Sequence, residues 1–513
     1  MIAKTTVGHF PGLNGDGVRE FRGVPFALPP LGPYRFRAPQ PLPTSSREIA
    51  ADRYPLPALQ MNNPMMGISE SVEDCLYLNI WVPEGEGPFP VMVWFHGGAY
   101  LAGGISQPLY NGAALAREQR VVVVHAAYRL GAMGFGDFSA VAPELGADSN
   151  LGLRDQVAAL EWVRDHIAAF AGDPGSVTIF GESAGGYSVC SLLATPRALP
   201  LFHNAIVQSG GADFALAPSE VRKVTEAFVA ALPGQGSASE RLQAADRKAW
   251  IKAQNQTVKV LVERGLRKTT PQFAMNFLPM VDGDLLPQLP IDAIAAGMAA
   301  DKRLLASVCL DEYHFFQYSG VLAGSTSMDT LRALDEQEIL RRFERGLPGN
   351  GPQAFDYYRA HVRPDPQRSN LDWFSAMESD RLFRVPTLRL LDAQSSHNPA
   401  CWGAQFSWPC TMMGIPLGAC HVVDVPFVFG ITDTPVGQFF TGGGQGAAQL
   451  ARQVQEAWGA FAHGEAPGWE GWREHRRVQQ FGPGDSPVAL LDKAGEALWE
   501  PIIPAPAIAP QRA

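Results

Sequence analysis

The amino-acid sequence predicts an α/β fold with a large, doubly wound, mostly parallel central sheet. Short runs of residues that are apolar on both faces recur along the chain, as in the buried strands of a parallel sheet. These runs are residues 91–95, 121–124, 176–180 and 205–209. An amphipathic helix is predicted over residues 153–170, where apolar residues recur at spacings of three and four. Strands that alternate with helices across short connections indicate parallel pairing.

The other elements extend this pattern on both sides. Before the helix, we expect short β-type runs in residues 1–40, a loop in 41–74, a strand in 77–82 and a turn in 84–88. The Gly-Asp-Pro-Gly sequence of residues 172–175 ends the helix and leads into the strand at 176–180. Later elements are strands at 304–310 and 405–408, a glycine-rich loop at 442–446 and a helix at 449–463.

Two mostly helical insertions are predicted near residues 212–300 and 329–395. Together with residues 60–72, we expect them to form a lid or gorge above the sheet. The Pro/Ala-rich tail at 501–510 is predicted to be extended. Because no repeat or independent linker is visible, we expect residues 1–513 to form a single domain.

Composition excludes several classes of protein. The chain has 513 residues, 46% of them apolar, and a net charge of −10 without a basic tract, which argues against nucleic acid or an anionic membrane as partner. No apolar run reaches the ~18 residues of a spanning helix, and the first residues lack a signal-peptide core. We therefore expect a cytoplasmic protein, and the sequence leaves open whether it is a monomer or a homodimer.

The cysteines and glycines point to no cofactor or metal. The six cysteines contain no C-x-x-C pair, and we expect them to be reduced and buried. They are Cys75, Cys190, Cys309, Cys401, Cys410 and Cys420. The sequence contains neither a nucleotide-binding fingerprint nor a zinc-protease motif.

A G-x-S-x-G motif at residues 181–185 places Ser183 between a predicted strand and a predicted helix. This is the sequence context of a nucleophile elbow, in which the serine lies on a sharp, strained turn of an α/β-hydrolase. The flanking glycines allow the strand and the helix to pack closely. A glycine-rich turn with a capping serine is the alternative, which the strand–helix context disfavours.

The loop after the strand at 91–95 has the H-G-G pattern of an oxyanion hole. Glycines there let backbone N–H groups approach a developing oxyanion. The expected donors are Gly97, Gly98 and Ala184, each typically worth ~3 kcal/mol of transition-state stabilisation. An ordinary glycine turn is the alternative interpretation.

A serine nucleophile also needs a base and an acid, which follow it along the chain in this fold. Among the histidines after Ser183, His421 is a candidate because small residues precede it and an apolar run follows it. Asp311 and Glu312 directly follow the strand at 304–310 and point in different directions, so only one can face the histidine. The residues alone leave open which one, and a solvated acidic pair is a further possibility.

The motifs together resemble the type B carboxylesterase family, which includes bacterial p-nitrobenzyl esterases and cholinesterases, and the match runs over most of the chain. The matching segments are residues 21–27, 35–36, 73–79, 128–131, 150–156, 172–174 and 181–185. The resemblance implies an α/β-hydrolase fold with Glu312 as the acid and His421, before the F-V-F-G run at 427–430, as the base. It also implies a nearby Ser209 and structural salt bridges Arg35–Glu73 and Arg129–Asp173.

The sequence departs from the family pattern at three positions. No cysteine precedes Cys75, so the disulfide of secreted members cannot form. Tyr313 stands where a small residue usually follows the acid, and we expect it to crowd or shape the site. Ala99 replaces a third glycine in the oxyanion loop.

The predicted activity is hydrolysis of uncharged carboxylic esters with an apolar or aromatic part, through an acyl-enzyme and without a cofactor. Candidate pocket walls are Trp94, Tyr100, Phe427 and Phe429, although buried aromatic residues are often only core. Amides, carbamates or thioesters are alternative substrates. A non-catalytic adhesion relative is a further alternative, which the presence of all three triad members disfavours.

Overall fold

A ten-stranded mixed sheet forms the centre of the computed structural model, which describes residues 2–264, 275–362, 371–483 and 486–505. The described strands are β1 Ile2–Lys4, β2 His9–Pro11, β3 Leu13–Asn14, β4 Val18–Pro25, β5 Tyr77–Pro83, β6 Phe89–Phe95, β7 Val122–Ala126, β8 Gly172–Glu182, β9 Asn204–Gln208, β10 Arg303–Cys309, β11 Cys401–Phe406, β12 Cys410–Met412, β13 Ile415–Gly418 and β14 Gln479–Phe481. The order across the sheet is β14-β11-β10-β9-β8-β6-β7-β5-β4-β3.

The sheet is parallel from β14 to β7 and antiparallel from β7 through β5 and β4 to β3. Residues Val91 to Phe95 of β6 and all of β7 are buried, because helices and loops cover both faces of these strands. The prediction of a doubly wound, mostly parallel sheet is confirmed.

Helices surround the sheet and fill the long connections. The described α-helices are α1 Ala113–Gln119, α2 Gly131–Phe135, α3 Leu151–His166, α4 Ala184–Leu193, α5 Pro218–Ala231, α6 Ala238–Ala244, α7 Arg247–Glu263, α8 Pro290–Ala295, α9 Glu312–Leu322, α10 Met328–Arg332, α11 Glu336–Gly346, α12 Gly351–His361, α13 Leu371–Ser379, α14 Val385–His397, α15 Val425–Val428, α16 Pro435–Thr441, α17 Gly444–Ala462, α18 Trp472–His475 and α19 Lys493–Trp499. A π-helical turn, Asp380–Arg384, joins α13 to α14. Within the described ranges, no helix combines the length and apolar character needed to span a bilayer.

Both predicted insertions are mostly helical where the structure describes them. Helices α5 to α8 lie in the first and α10 to α14 in the second. Parts of these predictions, at residues 265–274 and 363–370, lie outside the described residues, as does the tail from residue 506.

Element boundaries differ from the predictions in three places. The strand predicted at 405–408 is β11, Cys401–Phe406, and the predicted turn at 172–175 forms the start of β8. The glycine-rich segment at 442–446 was predicted to be a loop, but α17 begins at Gly444. Glycine has weak helix propensity, so packing of α17 against α15, α1 and the sheet extends the helix beyond what the local sequence predicts.

The parallel strands determine where functional side chains can meet. Their carboxyl ends lie at one edge of the sheet, which is where ligands bind in open α/β folds. The residues that leave this edge are His96 after β6, Ser183 after β8, Ser209 after β9 and Asp311 after β10. The predicted site residues other than His421 therefore come from neighbouring strand ends, whereas His421 follows β13, which lies outside the central sheet.

Candidate active site

Ser183 lies on the sharp turn between β8 and α4. Its backbone has φ 58° and ψ −122°, a combination that a non-glycine residue adopts only where its surroundings enforce it. The flanking glycines are required, since a Cβ on Gly185 would lie 1.9 Å from Phe95 O and one on Gly181 would lie 2.5 Å from the Gly185 carbonyl carbon. Ser183 is 6% exposed and lines a cavity.

The structure brings Glu312, and not Asp311, to the ring of His421. His421 Nδ1 donates a hydrogen bond to Glu312 Oε2 at 2.6 Å. The other oxygen, Oε1, accepts hydrogen bonds from Ser209 Oγ at 2.6 Å and from Cys309 N at 2.7 Å. Glu312 is fully buried, so these bonds leave its carboxylate a single orientation toward the imidazole.

A second carboxylate, which the sequence analysis did not name, faces the opposite ring nitrogen. Glu182 Oε1 lies 3.0 Å from His421 Nε2, although the two groups are not aligned as a hydrogen bond. Nε2 has no hydrogen-bond partner among the described residues, Ser183 Oγ included. Catalytic hydrogen bonds are often long or poorly aligned in an unliganded site and tighten with substrate. The signal was present in the sequence, because Glu182 directly precedes Ser183.

Burial and charge together shift the pKa values of this group. Burial raises the pKa of Glu182 to about 8. Burial opposes a charge on His421, but Glu182 and Glu312 outweigh it and raise the pKa of His421 to about 9. Burial also raises the pKa of Asp424, whose Oδ2 accepts a hydrogen bond from Gln208, to about 6. The Glu182–His421 pair therefore retains a proton near neutral pH.

The loop after β6 has the backbone geometry of a tight cradle. Gly98 has φ +111°, and a Cβ there would lie 2.1 Å from Ala102 O. Ala99 and Tyr100 also have positive φ values, 58° and 59°. Gly98 and Ala99 line the cavity, whereas Gly97 is not among its lining residues. Ala184, at the start of α4, has its N–H in the first turn of that helix.

A cavity of about 570 Å³ opens beside Ser183 and His421. Its other described lining residues are Pro64, Met66, Gly67, Gly98, Ala99, Gln107, Pro108, Leu109, Tyr110, Glu182, Phe315, Phe316, Ser319, Val422, Val436 and Phe440. No lysine or arginine is among them. The wall is therefore mostly apolar, with Glu182 and His421 as its ionisable groups apart from the Tyr110 phenol.

The predicted aromatic walls are a different set from the observed ones. Trp94, Tyr100, Phe427 and Phe429 are fully buried in the core and do not line the cavity. Trp94 of β6 packs against Phe180 of β8 and against Phe429, and Phe427 of α15 packs against Phe406 of β11. Tyr100, in the loop after β6, packs against Phe135 of α2. Of the segments expected to build the gorge, only residues 60–72 contribute described lining residues. The aromatic lining residues come from helix α9, from helix α16 and from Tyr110, which precedes α1.

We expected Tyr313 to crowd or shape the site, but it is not among the residues that line the cavity. Its ring packs against Phe316 and Phe374, and its backbone N–H donates to Ser379 Oγ at 2.9 Å. Tyr313 thus faces α13, while the next turn of α9 directs Phe316 toward the His421 ring, at 4.9 Å between centroids. Phe383 of the π-helical turn lies 4.8 Å from the same ring.

One of the two predicted salt bridges is present, and the prediction of the other is wrong. Arg35 binds Glu73 through two hydrogen bonds of 2.8 Å. Arg129 pairs with Asp155 of α3, not with Asp173. Asp173 lies at the start of β8, at the opposite edge of the sheet from Arg129, which follows the end of β7. Asp155 is fully buried directly beside the guanidinium.

The sheet order, together with a serine on the turn between β8 and α4, defines an α/β-hydrolase. A family model described as the carboxylesterase family matches residues 2–496. The chain therefore belongs to the carboxylesterase family and is a carboxylic ester hydrolase.

Curated relatives and solved structures agree with this assignment. The chain is 34% identical to the para-nitrobenzyl esterase of Bacillus subtilis strain 168, across 93% of this chain and 94% of that protein. It is 31% identical to the phenmedipham hydrolase of Pseudarthrobacter oxydans, across 92% and 93%. The structure of a Geobacillus stearothermophilus carboxylesterase superposes with a TM-score of 0.83 at 30% identity, covering 97% of this chain and 99% of that one.

Proposed function

We propose that this chain is a serine carboxylesterase that hydrolyses uncharged esters with an apolar or aromatic part. The catalytic residues are Ser183, His421 and Glu312. The observation that carries the proposal is the 2.6 Å hydrogen bond between Glu312 and His421 beside a cavity that Ser183 and His421 both line. A carboxylate that orients an imidazole next to a serine on an elbow turn is the arrangement that acyl transfer needs.

In the proposed reaction, His421 Nε2 takes the proton of Ser183 Oγ as the oxygen attacks the ester carbonyl. The protonated imidazole then gives this proton to the leaving alcohol, while Glu312 stabilises the imidazolium. Water hydrolyses the acyl-enzyme with His421 again as base. Because His421 must be neutral to begin, the proton that the Glu182–His421 pair retains has to leave the imidazole before attack.

Backbone N–H groups of Gly97, Gly98 and Ala184 are the predicted oxyanion donors. The geometry favours one addition to this set. Ala99 lines the cavity and Gly97 does not, which supports the Ala99 N–H as a donor beside Gly98. Each donor in such a hole is typically worth ~3 kcal/mol in the transition state.

The cavity supports the proposed substrate class. Its walls are mostly apolar, and its described lining residues include no lysine or arginine that could pair with an anionic substrate. Desolvating a carboxylate next to Glu182 without a cation is costly. Neutral esters with a flat or branched apolar group therefore fit best beside Phe315, Phe316 and Phe440.

A panel of p-nitrophenyl esters with neutral and negatively charged acyl groups tests this proposal. We expect hydrolysis of the neutral esters, and kcat/KM lower by about 100-fold or more for p-nitrophenyl hydrogen succinate than for the butyrate. Ser183→Ala and Glu312→Gln should each lower kcat by about 10³-fold or more. Undiminished hydrolysis by Ser183→Ala would remove the nucleophile from the proposal.

A second candidate substrate follows from one relative. The chain resembles a phenmedipham hydrolase over nearly all of its length, and the same serine chemistry can act on carbamates or amides. Comparing rates on phenmedipham and on a p-nitrobenzyl ester of similar size distinguishes the two. We propose the ester as the preferred substrate, and a higher kcat/KM on phenmedipham would reverse that order.

We further propose a cytoplasmic location. All six cysteines are buried free thiols, in keeping with a reducing compartment. Localisation of the tagged full chain in cell fractions tests this point.

A further inference from the structure

Asp311 is directed away from its own helix. It occupies the N-cap position of α9, where an aspartate ordinarily accepts a backbone N–H from the first helical turn. Its side chain makes no such capping bond. Instead, Asp311 Oδ2 accepts a hydrogen bond from Ala419 N at 2.8 Å, and Asp311 N donates to Ala419 O at 2.9 Å. Asp311 and Ala419 thus form a closed pair of hydrogen bonds between two distant segments.

Ala419 belongs to the segment that carries His421, residues 417–424, which we call the base loop. The base loop is strained, because Val422 has φ +77° although its side chain is β-branched. A backbone in such a conformation persists only where its surroundings hold it. Asp311 holds it two residues before His421.

The glycine that precedes Ala419 makes the hydrogen bond between Asp311 and Ala419 possible. Gly418 has φ +63°, and a Cβ there would lie 2.2 Å from Asp311 Oδ2, so only glycine lets the carboxylate reach Ala419 N. Other bonds hold the base loop at other positions, and one of them, from Gln208 Nε2 to Asp424 Oδ2 at 2.6 Å, lies at its far end. His314 Nδ1 contacts Leu417 O at 3.0 Å, and His421 N donates to Glu312 O over a long 3.4 Å.

We propose that Asp311 is a positioning residue for the base of this site. It anchors the base loop, so that the His421 ring stays aligned with Glu312 on one side and with the Ser183 cavity on the other. Asp311 does not line the cavity and acts only through His421. The two adjacent acidic residues therefore have complementary roles, since Glu312 orients the ring and Asp311 holds the backbone that carries it. This inference rests on the proposed function of His421.

Steady-state kinetics of Asp311 variants on p-nitrophenyl butyrate test the proposal. Asp311→Ala should lower kcat by about 10- to 100-fold, because a displacement near 1 Å of a catalytic group has effects of that size, with KM changed less than about twofold. Asp311→Asn keeps an acceptor oxygen and should stay within about threefold of wild type. Leucine has a shape similar to that of aspartate but no acceptor oxygen, so Asp311→Leu should lower kcat as Asp311→Ala does. If the alanine variant folds poorly, Asp311→Leu can be compared with Asp311→Asn instead.

Asp148 provides a matched control. Its Oδ2 accepts a hydrogen bond from Ala38 N at 2.8 Å, and its side chain is 32% exposed against 31% for Asp311. Asp148→Ala removes the same kind of bond, together with the Arg37–Asp148 ion pair, away from the cavity, so kcat should stay near the wild-type value.

The outcomes separate this inference from the proposed function. If the proposed function is wrong, the wild-type enzyme will show no ester hydrolysis that depends on Ser183. Given an active wild type, equal kcat values for Asp311→Leu and Asp311→Asn overturn the positioning role. The positioning role is also overturned if kcat falls no further in Asp311→Ala than it does in Asp148→Ala.

Discussion

At the residue scale, the site is organised around one imidazole with a carboxylate at each nitrogen. Glu312 accepts from His421 Nδ1, and Glu182 lies 3.0 Å from Nε2. The two carboxylates have different surroundings. Glu312 is held by Ser209 and Cys309, whereas Glu182 Oε1 has no hydrogen-bond partner in the described part of the chain. Burial of Glu182 accordingly raises the pKa of this carboxyl.

Removing the charge at Glu182 should shift the pH dependence of the reaction. The pKa of His421 is raised, so its neutral, basic form increases as pH rises through that pKa. In Glu182→Gln, one of the two carboxylates that favour the imidazolium is absent, and the acid limb of kcat/KM should move to lower pH by about one unit. The pH profiles of wild type and variant on a neutral ester measure this shift. An unmoved or higher acid limb would contradict it.

At the element scale, the approach of β8, α4 and β6 determines the position of Ser183. Gly181 and Gly185 allow the backbone of α4 to lie against the last residue of β6. The strained dihedral angles of Ser183 are held by this packing and by the hydrogen bond from Ser183 N to Gln208 O at 2.9 Å. The position of Ser183, the proposed nucleophile, therefore depends on three neighbouring strands as much as on its own turn.

A side chain at Gly185 should destabilise the packing of α4 against β6 and β8. In Gly185→Ala, the new Cβ would lie 1.9 Å from Phe95 O, a backbone atom that cannot rotate away. We expect a loss of about 3 kcal/mol in the free energy of unfolding, measured by urea denaturation. Gly175→Ala is the control, since Gly175 is exposed and the nearest atom to its new Cβ is a side-chain oxygen at 3.2 Å. Equal stability of the two variants would show that the elbow tolerates the overlap.

At the scale of the whole molecule, buried ionic contacts connect segments that are far apart along the chain. Arg129, after β7, bonds to both oxygens of Asp155 on α3 and to Arg37 O near the N-terminus. Arg35 binds Glu73 and the carbonyls of Leu242 and Ala245, around α6. These contacts attach the N-terminal region and the first insertion to the sheet.

Breaking the Arg129 contact should be costly, because it leaves Asp155 buried without its cation. We expect Arg129→Ala to lose about 3–5 kcal/mol in the free energy of unfolding. Arg164→Ala removes a largely exposed partner of Asp165 and should lose less than about 1 kcal/mol. Thermal and denaturant unfolding of both variants provide the comparison. Similar losses would mean that burial of the Arg129–Asp155 pair has no special effect.

The short-range signals in the sequence predicted most of the architecture. Apolar runs identified the parallel strands at 91–95 and 205–209, since burial on both faces leaves a continuous pattern. The G-x-S-x-G motif located the Ser183 turn because its steric needs are local. The start of α17 and the bounds of β11 were missed, because tertiary packing overrides weak local preferences at element ends.

The amino-acid sequence by itself determined the sheet, the elbow and the short set of acids and bases that could serve it. The family resemblance favoured Glu312 over Asp311 as the acid, and the structure brings Glu312 to the His421 ring. Only the tertiary structure decided that Glu182 lies at the other ring nitrogen and that Asp155, rather than Asp173, pairs with Arg129. It also decided that Phe315 and Phe316, not Trp94 and Phe429, line the cavity. The physical reason is that periodicity records which faces are buried, whereas pairing depends on the direction in which distant chain segments bring their side chains together.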